Sequence, residues 1–132
     1  MKSLLLDVEN CEVAVIELDE RPELDFFYEK LNCDVIDIVE RRIKGEYFQI
    51  VCDDEGALKP DPMVSAIDGN MEPVLCGNLM FFDSIDENGE LVGLKNEDIE
   101  RILSSIHYIL PVYNFKNCST HYHPVLVGCE YY

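Results

Sequence analysis

The chain has 132 residues, carries 27 Asp and Glu against 10 Lys and Arg, and has a formal net charge of -17. Such a field repels nucleic acid and anionic membrane surfaces, so neither is expected as a direct partner, and it draws in basic protein surfaces. Apolar residues make up 48% of the chain, too many for a disordered acidic tail, so the acids are expected to clothe one folded domain over 1–132.

Met1-Lys2-Ser3 is followed by only three Leu before Asp7, too short a core for secretion, and no run approaches the roughly eighteen apolar residues of a membrane span. The expectation is a cytoplasmic chain whose cysteines at 11, 33, 52, 76, 118 and 129 are reduced thiols.

Residues 2–8 and 12–18 are short apolar runs divided by Glu9-Asn10 and read as two strands. Pro22 suits a first helical position, and Leu24, Phe27, Tyr28 and Leu31 recur at helical spacing, which predicts a helix over 22–31. Residues 35–43 and 46–52 read as strands joined at Lys44-Gly45, with Asp53-Asp54-Glu55-Gly56 as a closing turn. Asp61-Pro62 predicts one or two helical turns over 62–67. Residues 74–82 read as one strand, and Asp86-Glu87-Asn88-Gly89 as a turn. Ile99, Ile102, Leu103 and Ile106 form a stripe that predicts a second helix over 96–107, capped by Asn96, with a Glu97–Arg101 pair, and Pro111 blocks its continuation. A last strand is expected over 125–129. The fold class is α+β, a mostly antiparallel sheet packed by the two helices. The expected core is Val13, Val15, Leu24, Phe27, Leu31, Ile50, Leu75, Leu79, Ile99, Leu103 and Ile106.

Chemistry-bearing patterns are few. Ser84, Asp86, Asn88 and Gly89 fall at calcium-loop positions, but the required bidentate Glu is replaced by Lys95, so the segment reads as a solvated turn. Cys118, His121, His123 and Cys129 form a Cys/His cluster in zinc-ligand chemistry, with His121 and His123 on one strand face, yet the spacing matches no zinc finger. The favoured reading there is no metal: surface imidazoles and a buried thiol. His107 reads as a helix C-terminal residue without a catalytic partner nearby in sequence. Ser104, Ser105 and Ser119 lack a nucleophile elbow, and no glycine loop cradles phosphate, so no cofactor is expected. Arg41, Arg42 and Lys44 are a small basic cluster beside Glu40 and Glu46.

Four pieces in order carry a family resemblance. They are Val13-Ala14-Val15-Ile16-Glu17-Leu18 with the helix after it, and the acidic turn and glycine of Phe48-Gln49-Ile50-Val51-Cys52-Asp53-Asp54-Glu55-Gly56-Ala57-Leu58. The others are Val74-Leu75-Cys76-Gly77-Asn78-Leu79-Met80-Phe81-Phe82 and the helix start Gly93-Leu94-Lys95-Asn96-Glu97-Asp98-Ile99-Glu100-Arg101. Over about 12–106 the chain resembles an uncharacterised family of small domains of unknown function. Such domains are common on phages, plasmids and conjugative elements of gut bacteria. The resemblance implies a mobile-element origin and transfers no residue role. It leaves 108–132 as a C-terminal extension packed on the domain.

Three functions stay open. The first is a non-enzymatic accessory module that binds a protein partner with a basic surface. The second is a DNA mimic acting against restriction or CRISPR nucleases, through an acidic face of Glu17, Asp19, Glu20, Glu23, Asp25, Glu29, Asp34, Asp37 and Glu40. In that face Asp25 and Glu29 are expected to share a helix side, and Asp34 and Glu40 a strand side. The third is an enzyme in which carboxylates from distant strands converge.

Overall fold

The computed structural model describes residues 1–19 and 21–131, with the backbone alone at 110, 112 and 114. The first half runs β1 (Lys2–Asp7), β2 (Glu12–Glu17), α1 (Leu24–Leu31), β3 (Ile36–Ile43), β4 (Glu46–Asp53) and β5 (Val64–Ile67). There follow β6 (Pro73–Cys76), β7 (Leu79–Phe82), β8 (Ser84–Ile85), β9 (Leu91–Val92), α2 (Asn96–Leu103), β10 (Ile106–Asn114) and β11 (Ser119–Val127). A five-stranded sheet has the order β2-β1-β7-β4-β3, and a four-stranded sheet the order β10-β11-β5-β6. All pairings are antiparallel except β11 with β5. This is the mostly antiparallel α+β class that the sequence predicts.

Strand alternation sorts the side chains of the five-stranded sheet onto two sides. Leu4, Leu6, Phe48, Ile50, Leu79 and Phe81 pack with Ile99 and Ile102 of α2 and with Leu126 of β11. Val51, Met80 and Phe82 turn the other way, under Phe27 and Leu31 of α1. Phe27 meets Phe82 edge-on at 6.1 Å. Each such burial contributes about 1.5–3 kcal/mol.

One polar side chain ties this frame together. Asn78 is buried, and its Oδ1 accepts from the amides of Val8 at 3.0 Å and Glu9 at 3.4 Å, while its Nδ2 donates to the Lys30 carbonyl at 3.3 Å. It thereby clamps the β1–β2 turn and the end of α1 to the break between β6 and β7.

That break is itself a departure from the expected single strand over 74–82. Gly77, at a φ of +85°, turns the chain so that β6 enters one sheet and β7 the other. The helical turns expected over 62–67 are instead β5, held between β6 and β11. α1 starts at Leu24 rather than Pro22, because Glu23 stays extended. α2 ends at Leu103 rather than 107: the Ser104 and Ser105 hydroxyls donate back to the Arg101 carbonyl, and Ile106 and His107 open β10. Pro111 therefore lies inside a strand instead of ending a helix. Lys95, not Asn96, is the cap position of α2, its amide donating to Asp98 Oδ2 at 3.1 Å. Arg101 lies 3.9 Å from Asp98 Oδ1, in place of the expected Glu97 pairing. The last strand is longer than expected and starts at Ser119.

Of the expected core, Phe27, Leu31, Ile50, Leu79 and Ile99 are buried, and Val13, Leu75 and Ile106 are half-buried against it. Val15, Leu24 and Leu103 are exposed. Val15 sits on the edge strand β2, and Leu24 and Leu103 are the two ends of short helices.

Candidate functional site

The acidic residues singled out in the sequence fall on the edge strands β2 and β3, on α1 and in the loops between them. Glu17 ends β2 and lies 3.3 Å from the N-terminal ammonium. Asp19 and Glu23 follow in the loop, and Glu20 lies outside the described residues. Asp25 and Glu29 are both exposed, one helical turn apart on the outer side of α1. Asp34 is in the loop before β3, so it does not share a strand side with Glu40. Asp37 and Glu40 fall on opposite faces of β3. All eight described acids are exposed. Asp37 Oδ1 accepts from the Ile38 amide at 2.9 Å, and Glu40 Oε1 from Gln49 Nε2 at 3.4 Å.

The cations that interrupt this run in sequence are engaged elsewhere. Arg21 pairs with Glu90, and Arg42 with Glu130 at 2.8 Å. The Lys30 ammonium lies 5.8 Å from the Phe26 ring, and the Arg41 guanidinium 4.0 Å over the Tyr131 ring. Arg21 and Arg42 thus pair with carboxylates outside the strip, while Lys30 and Arg41 keep their charge within it.

The Cys/His cluster is not brought together. Cys118 is exposed on the β10–β11 turn, whereas Cys129 is in the core, its thiol pushed up to about 11 by burial. His121 and His123 line a cleft of about 590 Å³ with Cys11 and Tyr113, and among the described residues no three His, Cys, Asp or Glu groups converge to hold a metal ion. Ser119 Oγ lies 3.1 Å from His121 Nε2 and also contacts Asn117 Oδ1, both contacts being exposed near the β10–β11 turn.

His107, on β10 rather than a helix end, lines a cleft of about 610 Å³ with Arg42, Lys44, Ser104, Ser105 and Glu130. Lys44 Nζ donates to Ser104 Oγ at 2.6 Å, and that hydroxyl donates to the Arg101 carbonyl at 2.7 Å. Arg42 with Glu130 and Lys44 with Ser104 are thus paired within the cleft. Glu9, Asp53 and Asp61 approach in a smaller cleft of about 70 Å³, where Lys59 neutralises Asp53 at 3.0 Å. Asp86 Oδ1 accepts from the amides of Asn88 and Glu90, so the calcium-like segment is a closed turn.

A second surface was missed by the sequence reading. Pairing of β10 with β11 sets Tyr108 opposite Pro124, Pro111 opposite Tyr122 and Tyr113 opposite Thr120, so these side chains share one face. Tyr108, Tyr113 and Tyr122 are 52%, 47% and 55% exposed, and Phe115 at the tip is 85% exposed against Tyr113 at 4.7 Å between ring centroids. The available signal was compositional: residues 108–132 hold one acid, Glu130, and one base, Lys116, leaving the whole charge of -17 to residues 1–107.

Residues 1–107 match the model of a family described as Domain of unknown function (DUF3846). No curated protein and no solved structure matches the chain. Among the described residues, no helix is long and apolar enough to cross a membrane.

Proposed function

We propose a function for a chain that belongs to the DUF3846 family: it is a small binding module that docks on the basic surface of a protein partner. The observation that carries this reading is the exposed acidic strip from Glu17 to Glu40, whose interspersed cations are engaged with Glu90, Glu130, Phe26 and Tyr131. Exposed carboxylates on a chain of this charge accelerate encounter with a basic surface and set its orientation. Cross-linking in the native host, followed by mass spectrometry, should recover a partner with a basic face. The reconstituted complex should weaken with salt and with Asp25→Asn plus Glu29→Gln. A complex indifferent to both would refute the reading.

A narrower form, in which the basic surface is a nucleic-acid groove, is motivated by the number of exposed carboxylates between Glu17 and Glu40. The eight described carboxylates are all exposed, and Asp25 and Glu29 share one side of α1. Duplex DNA presents about one charge per 1.7 Å of axis. With the mobile-element setting that the resemblance implies, a restriction or CRISPR nuclease would own that groove. Phage plating and plasmid transformation in hosts with active defence systems, with and without this chain, decide it: unchanged efficiency across several systems removes the mimic.

A further inference from the structure

We propose that the outer half of the β10–β11 arm binds the same arm of a second copy of this chain, giving a two-fold dimer. The proposal stands apart from the acidic strip. At its root the inner face of the arm is core: Ile106 and Leu126 are paired and pack against the five-stranded sheet. Further out the same face continues through Tyr108, Pro111, Tyr122 and Tyr113 and loses its cover, ending in the exposed Phe115. It is a stretch of core surface without a lid, rich in the aromatic residues that anchor protein interfaces.

Charge selects the occupant. Two copies that each carry -17 repel wherever residues 1–107 face each other. The arm, residues 106–127, holds Lys116 and no acidic residue, so it is the segment over which like-charged copies approach without that penalty. A self-complementary patch then makes an isologous contact. Pro111 removes a backbone donor from β10, an edge strand, which disfavours strand-to-strand addition, so the contact is made by side chains.

Area sets the strength. Taking roughly 200 Å² for a fully exposed aromatic side chain, the exposures of Tyr108, Tyr113, Phe115 and Tyr122 give about 480 Å² per copy, or about 950 Å² for the pair. That is the low end of specific interfaces, so the dimer is expected to be weak, with a dissociation constant in the micromolar range.

The test is sedimentation over a concentration series of the full chain, at salt from about 0.01 M to about 1 M, where the Debye length falls from about 30 to about 3 Å. The expected result is a reversible dimer that strengthens at least tenfold across that range, because screening removes repulsion between the acidic bodies. Phe115→Ser with Tyr113→Ser should be monomeric throughout, with an unchanged circular dichroism spectrum. A second variant, Tyr122→Lys, should abolish the dimer by placing like charges across the two-fold. A monomer at all concentrations and salts overturns the proposal. So does a dimer that survives these substitutions, or one that weakens with salt.

Discussion

Replacing Asn78 with Ala should damage the fold more than any other change of a single polar side chain in the β6–β7 break. The substitution removes acceptors from the Val8 and Glu9 amides and a donor from the Lys30 carbonyl. Val8 is fully buried, so water cannot replace the lost partner of its amide. A net hydrogen bond is worth about 0.5–1.5 kcal/mol and an orphaned buried amide costs about 1–3, which gives a loss of about 2–4 kcal/mol. At roughly 4 °C per kcal/mol for a chain of this length, the melting temperature should fall by about 8–16 °C. Urea unfolding followed by circular dichroism measures the free energy directly. Asn70→Ala, on an exposed loop, is the matched control and should move stability by less than about 0.5 kcal/mol. Asn78→Asp keeps an acceptor for Val8 but sets a carboxylate oxygen against the Lys30 carbonyl, and should lose at least as much as Ala. If Asn78→Ala falls within about 0.5 kcal/mol of the parent, the side chain is not the clamp described above.

Asp98→Ala removes the acceptor of the Lys95 amide at the start of α2 and should cost about 1 kcal/mol in the same urea assay. Burial pushes the Cys52 thiol up to about 12, with Asp37 adding to the shift, and pushes Cys129 up to about 11. Alkylation of the folded chain near neutral pH, read by peptide mass spectrometry, should therefore mark exposed Cys118 well before either. The same shifts fix a pH dependence. Above about pH 9 the unfolded thiols lose protons that the folded ones keep, so stability should be full below that value and fall as pH rises towards 12; denaturation midpoints that stay level across this window refute it. Asp25→Asn with Glu29→Gln should leave the melting temperature nearly unchanged, since both side chains are exposed, while weakening any complex with a basic partner.

Where local pattern and tertiary packing agree, the sequence is readable. Phe27 and Leu31 repeat at helical spacing and do face the sheet, and the Lys44-Gly45 turn does join β3 to β4 in register. The failures share a cause. Residues 64–67 form a strand because β11, sixty residues later, supplies a parallel partner, and no local signal announces that. Ile106 continues the apolar stripe of α2, yet it pairs with Leu126 in a hairpin, since two serines have already closed the helix. Val15 alternates correctly with Val13, but alternation gives the side of a sheet and not whether anything covers it. That the acids between Glu17 and Glu40 are exposed was legible because charged side chains stay in water, but their faces were not: Asp34 falls in a loop and does not share a strand side with Glu40. The aromatic arm was not legible, because its face exists only once β10 and β11 are paired and the five-stranded sheet has run out beneath them.

The two surfaces differ in sign of response, which makes them separable without knowing any partner. Attraction between the strip and a basic surface is long-ranged and fades as the Debye length shrinks. Apolar contact between two arms is short-ranged, and what opposes it is the repulsion of the acidic bodies they carry, so the same salt that loosens the first contact tightens the second. The geometry also lets both operate together. The acids lie on the two opposite edge strands, β2 and β3, and on α1 over the sheet face between them, while the arm belongs to the other sheet. A dimer through the arms would present two strips at once, and a partner with paired basic faces would then bind with the gain of a tethered second site. Charge-neutral substitutions at Tyr113 and Phe115 should therefore lower affinity for an extended basic partner while leaving affinity for a single basic face unchanged. Equal losses for both would place the arm inside the partner interface itself and not in a dimer contact.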